Sequence, residues 1–395
     1  MKKVILAYSG GLDTSFCVKY LQNEKGLEVY SAFVNTGNYS DEELQSIENR
    51  AYELGVKKHI NLNKTEEYYT NIIKYLIFGN VLKNNSYPLS VSAERIFQAI
   101  AIAEYAKAEN ADYIAHGSTG AGNDQVRFDL AFSILTPSIE VITPIRDLKL
   151  SRQEEIEYLA KNGVEYAWEK AKYSINKGLW GTSVGGVETL TSNQYLPSEA
   201  FPSQLLQMES SKLTIEFKEG EITHVNGVEM SPVKAIELID SIANEYAIGR
   251  DIHVGDTIIG IKGRVGFEAA ASSIIIKAHH HLEKHTLTKW QLHWKEQLAN
   301  WYGMFLHEAQ YFEPVMRNIE QFLSSTQKNV NGKVMLELHP YRFEIHGIES
   351  NNDLMNTKFG QYGEMNNTWN GEDVKGFTKI LSNSLSIYYS VNNEI

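Results

Sequence analysis

The first segment with the residue types for chemistry is Ser9-Gly10-Gly11-Leu12-Asp13-Thr14-Ser15, between a short apolar run and a helical pattern. Its two glycines permit backbone conformations that direct several N–H groups toward one anion. The following helix adds its positive N-terminal end, and the serine and threonine hydroxyls add hydrogen-bond donors. The segment therefore predicts a loop that binds the phosphates of ATP, in which Asp13 either caps the helix or acts through a bound Mg²⁺.

The spacing of this loop excludes two common kinds of phosphate site. No Gly-Lys-Ser/Thr follows the glycines, as a Walker A loop requires, and the Gly-x-Gly-x-x-Gly of a dinucleotide fold is missing. The structural alternative is a tight strand-to-helix turn that is capped by Asp or Ser and binds no ligand.

The second candidate site is the segment 116–128, which reads His-Gly-Ser-Thr-Gly-Ala-Gly-Asn-Asp-Gln-Val-Arg-Phe and follows a predicted strand. Its three glycines let the backbone approach a ligand closely. Thr119, Asn123, Asp124 and Arg127 supply donors and acceptors suited to amino acid head groups. An aspartate near an arginine is also a common surface ion pair, so composition alone leaves a structural role equally open.

Both segments follow strands in an alternating pattern of strands and helices. The strand candidates are Val4–Tyr8, Val29–Val34, Lys58–Leu62, Tyr113–Ala115 and a fifth at Val141 and Ile142; the helix candidates are Ser15–Leu21, a helix with a capping box at Ser40–Glu43, and Ala93–Ala108. This pattern predicts an α/β fold with a doubly wound parallel sheet. Ligands bind beyond the carboxyl ends of such strands, so the loops after Tyr8, Val34 and Ala115 are expected on one rim.

The amino-acid composition of the chain changes past about residue 161. The stretch 168–186 is rich in aromatic residues, glycine and serine, and Leu213–Phe217 reads as an antiparallel strand. Trp290–Phe322 reads as helical, and Val334–Ile345 alternates like a hairpin. We expect a nucleotide-binding domain at 1–165, a second, α+β synthetase domain at 166–360, and a C-terminal helix and oligomerisation arm at 361–395.

Composition favours a two-domain protein that acts on small molecules. The chain has 395 residues and a formal net charge of -12, which opposes binding to nucleic acid or to an anionic membrane. The single cysteine, Cys17, cannot form an intramolecular disulfide, and its expected role is packing. No apolar run is long enough for a signal peptide or a membrane span, so we expect a cytoplasmic location.

Two further clusters are expected to be structural. The histidines at 279–281 and at 285 include a pair at i, i+4 spacing, but no third ligand follows at a recognisable spacing, so no metal site is predicted. The tryptophans at 290, 294 and 301, with Tyr302, fall near helical spacing and are expected in the core or at a subunit contact.

The loop at residues 9–15 closely resembles the PP-loop, Ser-Gly-Gly-x-Asp-Ser/Thr-Ser, of enzymes that split ATP between its α and β phosphates. The segment 116–128 is similar to the signature His-Gly-x-Thr-Gly-x-Gly-Asn-Asp-Gln-Val-Arg-Phe of argininosuccinate synthases. Further matches occur in order at Tyr87 with Ser92, Tyr173-Ser174, Leu179-Trp180, Ser183 and Ile248-Gly249-Arg250. The chain thus resembles the argininosuccinate synthase family, whose first domain is an adenine nucleotide α-hydrolase-like PP-loop domain.

The resemblance implies a ligase of arginine biosynthesis that joins citrulline to aspartate, giving argininosuccinate, AMP and pyrophosphate, with ATP and Mg²⁺ required and a homotetramer expected. ATP would contact Ala7, Tyr8, Ser9, Gly10, Gly11, Leu12, Asp13, Thr14, Ser15, Val34 and Gly117. Citrulline would contact Tyr87, Ser92, Asn123, Arg127, Ser174 and Ser183, and aspartate would contact Thr119, Asn123 and Asp124. The catalytic residues would be Asp13, Ser15, Asp124 and Arg127.

The implied mechanism suits these residue types, because a neutral ureido oxygen needs positioning and charge neutralisation more than a strong base. This oxygen would attack the α-phosphorus, and the aspartate amine, oriented by Asp124, would displace AMP from citrullyl-AMP. Arg127 would bind the citrulline carboxylate through two parallel hydrogen bonds. Lys170 or Lys172 would help to neutralise phosphate, although exposure to solvent is the commoner role of either lysine.

Several positions depart from the family pattern. The family's Ser-x-Asp-x-Asn-Leu is here Ser-Ile-Asn-Lys-Gly-Leu at 174–179, and a usual glutamate aligns with Gly185. A later glutamate and tyrosine, which the family turns toward citrulline, align with Gly255 and Phe267, while Glu268 remains nearby. Either the citrulline pocket is rebuilt or the alignment slips. Two alternative functions also stay open: another PP-loop adenylating ligase, or a nucleotide-binding homologue with impaired catalysis.

Overall fold

The computed structural model describes residues 1–166, 172–355, 358, 360–364 and 368–393. The first strands are β1 (Lys3–Ala7), β2 (Glu28–Asn35), β3 (Lys58–Asn63), β4 (Tyr113–Ala115) and β5 (Glu140–Ile142). They form one parallel sheet in the order β3-β2-β1-β4-β5, so the chain reverses its direction of progress across the sheet between β3 and β4. The predicted α/β fold with a doubly wound sheet is confirmed.

The helices of this part are α1 (Leu12–Asn23), α2 (Asp41–Glu53), α3 (Thr65–Tyr68), α4 (Lys74–Phe78), α5 (Ser90–Ala108), α6 (Asp124–Leu135), α7 (Pro144–Leu148) and α8 (Arg152–Lys161). A π-helical turn at Tyr69–Ile73 joins α3 to α4. The capping box predicted at Ser40 is present, because its side chain accepts from the N–H of Glu43 and the Glu43 carboxylate accepts from Ser40.

Helix α1 begins at Leu12, three residues before the predicted start. Gly11 is its N-cap and no side chain caps the first turn, so the prediction that Asp13 caps this helix is wrong. The sequence predicts a turn through residue 14, whereas Leu12, Asp13 and Thr14 already have helical geometry. Cys17 is fully buried in α1, in keeping with the packing role predicted for it.

The sheet is packed on both faces because its side chains alternate. Val4 and Leu6 of β1 pack with residues of α1 and α8, whereas Ile5 packs on the opposite face with residues of α5 and α6. This two-sided burial holds the carboxyl end of β1 rigidly beneath the phosphate loop.

The second part contains two antiparallel sheets. Their strands are β6 (Ser174–Asn176), β7 (Thr182–Gly185), β8 (Ser211–Lys218), β9 (Glu221–Val225), β10 (Val228–Glu229), β11 (Arg250–Asp256), β12 (Lys262–Glu268), β13 (Gly332–His339) and β14 (Arg342–Glu349). The four-stranded sheet has the order β11-β12-β7-β6, and the five-stranded sheet has the order β10-β9-β8-β13-β14. The antiparallel strand predicted at Leu213–Phe217 and the hairpin predicted at Val334–Ile345 are both confirmed.

The helices of the second part are α9 (Pro232–Asn244), α10 (Ala270–Thr286), α11 (Lys289–His307), α12 (Pro314–Thr326), α13 (Gly371–Leu381) and α14 (Asn383–Asn392). The predicted helical stretch 290–322 is two helices, because Ala309 adopts a left-handed backbone conformation and Pro314 starts a new helix. In the described ranges, no helix is long and apolar enough to cross a membrane.

Two surfaces carry large apolar side chains that the protomer itself leaves exposed. On α11, Tyr302 is buried, but Trp290, Trp294 and Trp301 are each more than half exposed. In α13 and α14 every described residue is exposed, including Phe377, Ile380, Leu381 and Leu385. The tryptophans are therefore not core residues of this chain, so the prediction that they pack in its core is wrong.

Candidate active site

The phosphate loop, residues 9–15, connects β1 to α1. Gly10 has φ +75°, a left-handed conformation that favours glycine. Thr14 Oγ1 lies 3.3 Å from the Gly11 carbonyl oxygen and 3.4 Å from the Ser9 nitrogen, and Arg50 donates to the Gly10 carbonyl oxygen. Since no side chain caps α1, the N–H groups of its first turn stay available to an anion.

Asp13 lies in the first turn of α1 beside Glu155 of α8. Glu155 is 3% exposed, and burial together with the charge of Asp13 raises its pKa to about 8. Burial also raises the pKa of Asp13. Two carboxyl groups thus adjoin the phosphate loop, and at neutral pH they hold a shared proton more readily than two free carboxylates do.

The loop after β4 packs directly on the phosphate loop. A side chain at Gly117 would place its Cβ 3.3 Å from both the Asp13 carbonyl carbon and Thr14 Cγ2, so glycine permits this approach. His116 is buried, accepts the Ser118 N–H at Nδ1 and faces Asp129 through Nε2 at 2.9 Å. Because β2, β1 and β4 are parallel neighbours, the three predicted loops end on one rim of the sheet.

Asp124, the first residue of α6, is held between two arginines. Arg127 Nη1 donates to Asp124 Oδ1 at 2.9 Å, and Arg95 Nε donates to Oδ2 at 3.2 Å. Burial opposes its ionisation, but the charges of Arg95 and Arg127 outweigh that effect and lower the pKa of Asp124. The carboxylate is therefore ionised and can orient an amine, but it is too weak a base to remove a proton from an ammonium group.

Arg127 is 3% exposed and points toward α5 and the end of α11. Its Nη2 donates to Ser92 Oγ and to the His307 carbonyl oxygen, both at 3.0 Å. Its Nε has no hydrogen-bond partner among the described residues. A buried guanidinium N–H without a partner costs free energy unless a ligand satisfies it, so Nε marks a place for an anion.

Tyr87 and Phe267 are in contact with each other. The Tyr87 ring lies 5.3 Å from that of Phe267 and stacks on His253 of β11 at 4.9 Å. A Cβ at Gly255 would lie 2.5 Å from His253 Nε2. His253 thus fills the space beside Gly255, which is a physical reason for a residue without a side chain at that position.

The segment 174–183 closes the pocket from the second part of the chain. Asn176 Oδ1 accepts from Arg95 Nη2 at 2.8 Å, and its Nδ2 lies 3.4 Å from Ser183 Oγ. A Cβ at Gly178 would lie 2.9 Å from Glu94 Oε2, so the departures at 176 and 178 fit contacts with α5.

The predicted site residues thus fall into two groups. Ser92, Asp124, Arg127 and Ser183 lie in one connected network with Asn176, and Gly117 lies on the phosphate loop. The structure adds residues that the sequence analysis missed: Glu94, Arg95, Glu155 and His307. Arg95 could have been found, since it follows Ser92 by three residues on a predicted helix. Glu94, Glu155 and His307 have no local sequence pattern that marks them, because they join the site only when segments distant in the sequence come together.

Other predicted residues are less connected. Thr119 and Ser174 are exposed, and Lys172 lies 63% exposed, 3.9 Å from Glu188. Lys170 lies outside the described residues. Among the residues that the structure describes, no group of three or more His, Cys, Asp or Glu side chains is arranged to hold a metal ion. In the histidine cluster, His279 is bound instead by Asn80 and Gln327.

Two family models match nearly the whole chain. One, described as "Arginosuccinate synthase N-terminal HUP domain", matches residues 3–165, and "Arginosuccinate synthase C-terminal domain" matches residues 173–388. A relative from Dictyoglomus turgidum named "Argininosuccinate synthase" is 37% identical over 382 residues, covering 96% of each chain. Relatives of the same name are 36% identical in Methanocaldococcus jannaschii, with 88% of each chain covered, and 34% in Xanthomonas axonopodis pv. citri, with 99% of this chain and 95% of the relative covered.

Proposed function

Because this chain belongs to the argininosuccinate synthase family, we propose that its cleft joins citrulline to aspartate with ATP, giving argininosuccinate, AMP and pyrophosphate. The family, the α/β fold and the ligase activity predicted from the two motifs are confirmed by these matches. The observation that carries the proposal is the meeting of a phosphate loop with the Asp124–Arg127 network at the carboxyl edge of one sheet.

ATP occupies the rim formed by residues 7–15, Val34 and Gly117 in this proposal. The left-handed Gly10 and the uncapped start of α1 supply N–H groups for the phosphates, and Ser15 lies in the same turn. Val34 is buried at the end of β2, where an adenine ring would contact the edge of the sheet. When deprotonated, the carboxyl groups of Asp13 and Glu155 would supply the oxygen ligands that Mg²⁺ prefers, and the ion would neutralise charge on the phosphates.

Citrulline occupies the pocket of Tyr87, Ser92, Arg127 and Ser183, with Asn123 and Ser174 at its opening. Arg127 Nε, which has no partner among the described residues, supports binding of the citrulline carboxylate. Its Nη2 is already committed to Ser92 and to a backbone carbonyl, so the carboxylate meets Nε rather than a free two-nitrogen edge.

Aspartate lies beside Thr119, Asn123 and Asp124 in this proposal. The ureido oxygen of citrulline attacks the α-phosphorus and pyrophosphate leaves. The amine of aspartate, held by the ionised Asp124, then displaces AMP from citrullyl-AMP. Positioning and charge neutralisation carry the rate, since no residue of the network is a strong base.

We also propose a cytoplasmic homotetramer in which α13 and α14 pack on another subunit. The support is the exposed apolar face of these helices and the exposed tryptophans of α11, which exceed what a monomer usually leaves in water. Light scattering of the purified protein measures the mass. Phe377→Glu should dissociate the assembly, and an unchanged mass would count against this contact.

The activity is tested by mixing purified protein with ATP, Mg²⁺, citrulline and aspartate. Pyrophosphate and argininosuccinate should form in equal amounts, and both should depend on citrulline. Pyrophosphate release that needs no citrulline would indicate another PP-loop ligase. ATP binding without either product would indicate a homologue that has lost catalysis.

A further inference from the structure

His307, the last residue of α11, is buried against the citrulline pocket at 6% exposure. Its Nε2 lies 3.2 Å from the Asp256 carbonyl oxygen, and its Nδ1 lies 3.0 Å from Ser92 Oγ. A carbonyl oxygen only accepts hydrogen bonds, so Nε2 carries the proton of the ring. Nδ1 is then an acceptor, and the hydroxyl of Ser92 donates to it.

This tautomer fixes the polarity of Ser92. The hydroxyl donates its one hydrogen to His307 Nδ1. One lone pair of its oxygen accepts from Arg127 Nη2 at 3.0 Å. The second lone pair is left for a ligand. Ser92 therefore offers the bound amino acid an acceptor and cannot donate to its carboxylate.

The neutral form of His307 is enforced by its surroundings. Burial and the charges of Arg127 and Lys83 lower its pKa to about 3, and His253 adds a smaller effect in the same direction. The hydrogen bond to the Asp256 carbonyl oxygen acts in the opposite direction and raises the pKa. His307 thus keeps one protonation state, and Nδ1 stays an acceptor, throughout the physiological range.

The backbone of His307 fixes a second group. Its carbonyl oxygen accepts from Arg127 Nη2 at 3.0 Å, while Asp124 accepts from Nη1 at 2.9 Å. These bonds hold the guanidinium against Ser92, and its buried Nε has no hydrogen-bond partner among the described residues. An anion site and an acceptor in contact suit an amino acid head group, whose carboxylate and ammonium are joined by one carbon.

We propose that His307 is a positioning residue that sets the specificity of this pocket: it orients Ser92 to accept from the α-ammonium of citrulline while Arg127 Nε binds the carboxylate. This inference rests on the proposed function, which places citrulline at Ser92 and Arg127. It adds that the oxygen of Ser92 accepts from the α-ammonium because the Ser92 hydroxyl donates its own hydrogen to His307 Nδ1.

Two variants of equal shape test the proposal. His307→Leu removes the acceptor at the δ position, whereas His307→Asn keeps an oxygen there. His307→Leu should raise the citrulline KM about ten- to hundredfold, with the ATP KM and kcat nearly unchanged, and His307→Asn should recover most of the loss. His293→Leu, an exposed histidine earlier on α11, is the control and should match the wild type.

The decisive measurement compares citrulline with 5-ureidopentanoate, which has the carboxylate but no α-nitrogen. The wild type should prefer citrulline strongly, and His307→Leu should lose most of that preference, because the freed Ser92 hydroxyl can donate to a carboxylate. If His307 had only a structural role, His307→Leu would lower kcat/KM equally for both substrates. An unchanged preference in a folded His307→Leu overturns the proposal.

Ser92→Ala tests the same bond from its other end and should lose the same preference, so the test stands even if His307→Leu fails to fold. If Ser92→Ala keeps the preference, the proposal is wrong. Failure of the proposed function is distinct, because then the wild type itself forms no argininosuccinate from citrulline.

Discussion

The phosphate loop and the citrulline pocket are built in different ways. Four hydrogen bonds of the phosphate loop join residues no more than five positions apart, and one bond, from Arg50 to the Gly10 carbonyl oxygen, spans 40 positions. In the proposed citrulline site, Arg127 reaches Ser92 across 35 positions and His307 across 180. The first site is built mainly from its own segment, whereas the second exists only after distant segments have folded together.

This difference explains where the chain departs from its family. Gly10 and Thr14 hold the geometry of the turn, because Gly10 has a left-handed conformation and Thr14 Oγ1 donates to the Gly11 carbonyl oxygen. In the citrulline pocket, a change in one segment can be offset in another: His253 fills the space at Gly255, and Asn176 supplies the acceptor for Arg95. A site assembled over long distances can therefore accept a change in one segment when another segment offsets it.

The largest expected effect lies in the phosphate loop. Asp13→Ala removes the carboxylate from the first turn of α1, and citrulline-dependent pyrophosphate release should fall by at least about a hundredfold, as for loss of one preorganised group. The variant should stay folded by circular dichroism, since Asp13 caps no helix. Turnover equal to that of the wild type would exclude a role of Asp13 with phosphate or Mg²⁺.

The next effect lies in the citrulline pocket. Arg127→Ala removes one charged partner, which typically costs about 1.5 to 3 kcal/mol, so the citrulline KM should rise about ten- to hundredfold. The ATP KM should change much less, because Arg127 bonds to Ser92 and His307 rather than to the phosphate loop. Equal increases of both KM values would show that the two sites are not independent. That result would contradict the difference drawn between them.

The same contrast decides how far the sequence could predict this molecule. The sheet, its strands and the family are predicted correctly from the sequence, because alternation of apolar residues and glycine spacing are local signals. Helix α1 was placed three residues late, since Leu12 and Asp13 give no propensity signal that separates a glycine-rich turn from a first helical turn. The family model then accounts for the ligase activity.

The walls of the citrulline pocket were not predictable from local patterns. His253 and His307 read as ordinary residues of a strand and a helix, and only the contacts of His253 with Tyr87 and of His307 with Ser92 make them part of the site. Glu155 likewise lies in an amphipathic helix with nothing to mark it. The assignments of individual residues to citrulline, aspartate and ATP, and the domain limits at 165 and 360, stay predictions.

Glu155→Gln sharpens the comparison on the side of the phosphate loop. The pKa of Glu155 is about 8 in the folded protein and near 4.5 when unfolded, so the folded state binds more protons between these values and wild-type stability falls as pH rises through them. Glutamine does not ionise. The variant should therefore gain up to about 4 kcal/mol in free energy of unfolding at pH 8 and little at pH 4.5.

Urea unfolding at several pH values measures this difference. Glu157→Gln, an exposed change two residues along α8, is the control and should follow the wild type at every pH. A gain in stability for Glu155→Gln that does not depend on pH would contradict this prediction. It would mean that packing, rather than ionisation of Glu155 beside Asp13, determines the difference in free energy of unfolding.

The smallest effect tests whether the citrulline pocket is coupled across segments. In Gly255→Ala the added Cβ would lie 2.5 Å from His253 Nε2, so the ring must leave its stack on Tyr87. Loss of such a stack is worth about 0.5 to 1.5 kcal/mol, so the citrulline KM should rise about two- to tenfold while the ATP KM stays constant. Since one clash causes the effect, adding His253→Ala to Gly255→Ala should cost no more than His253→Ala alone. Independent, additive costs would mean that the two positions are not coupled and that the pocket was not rebuilt around this contact.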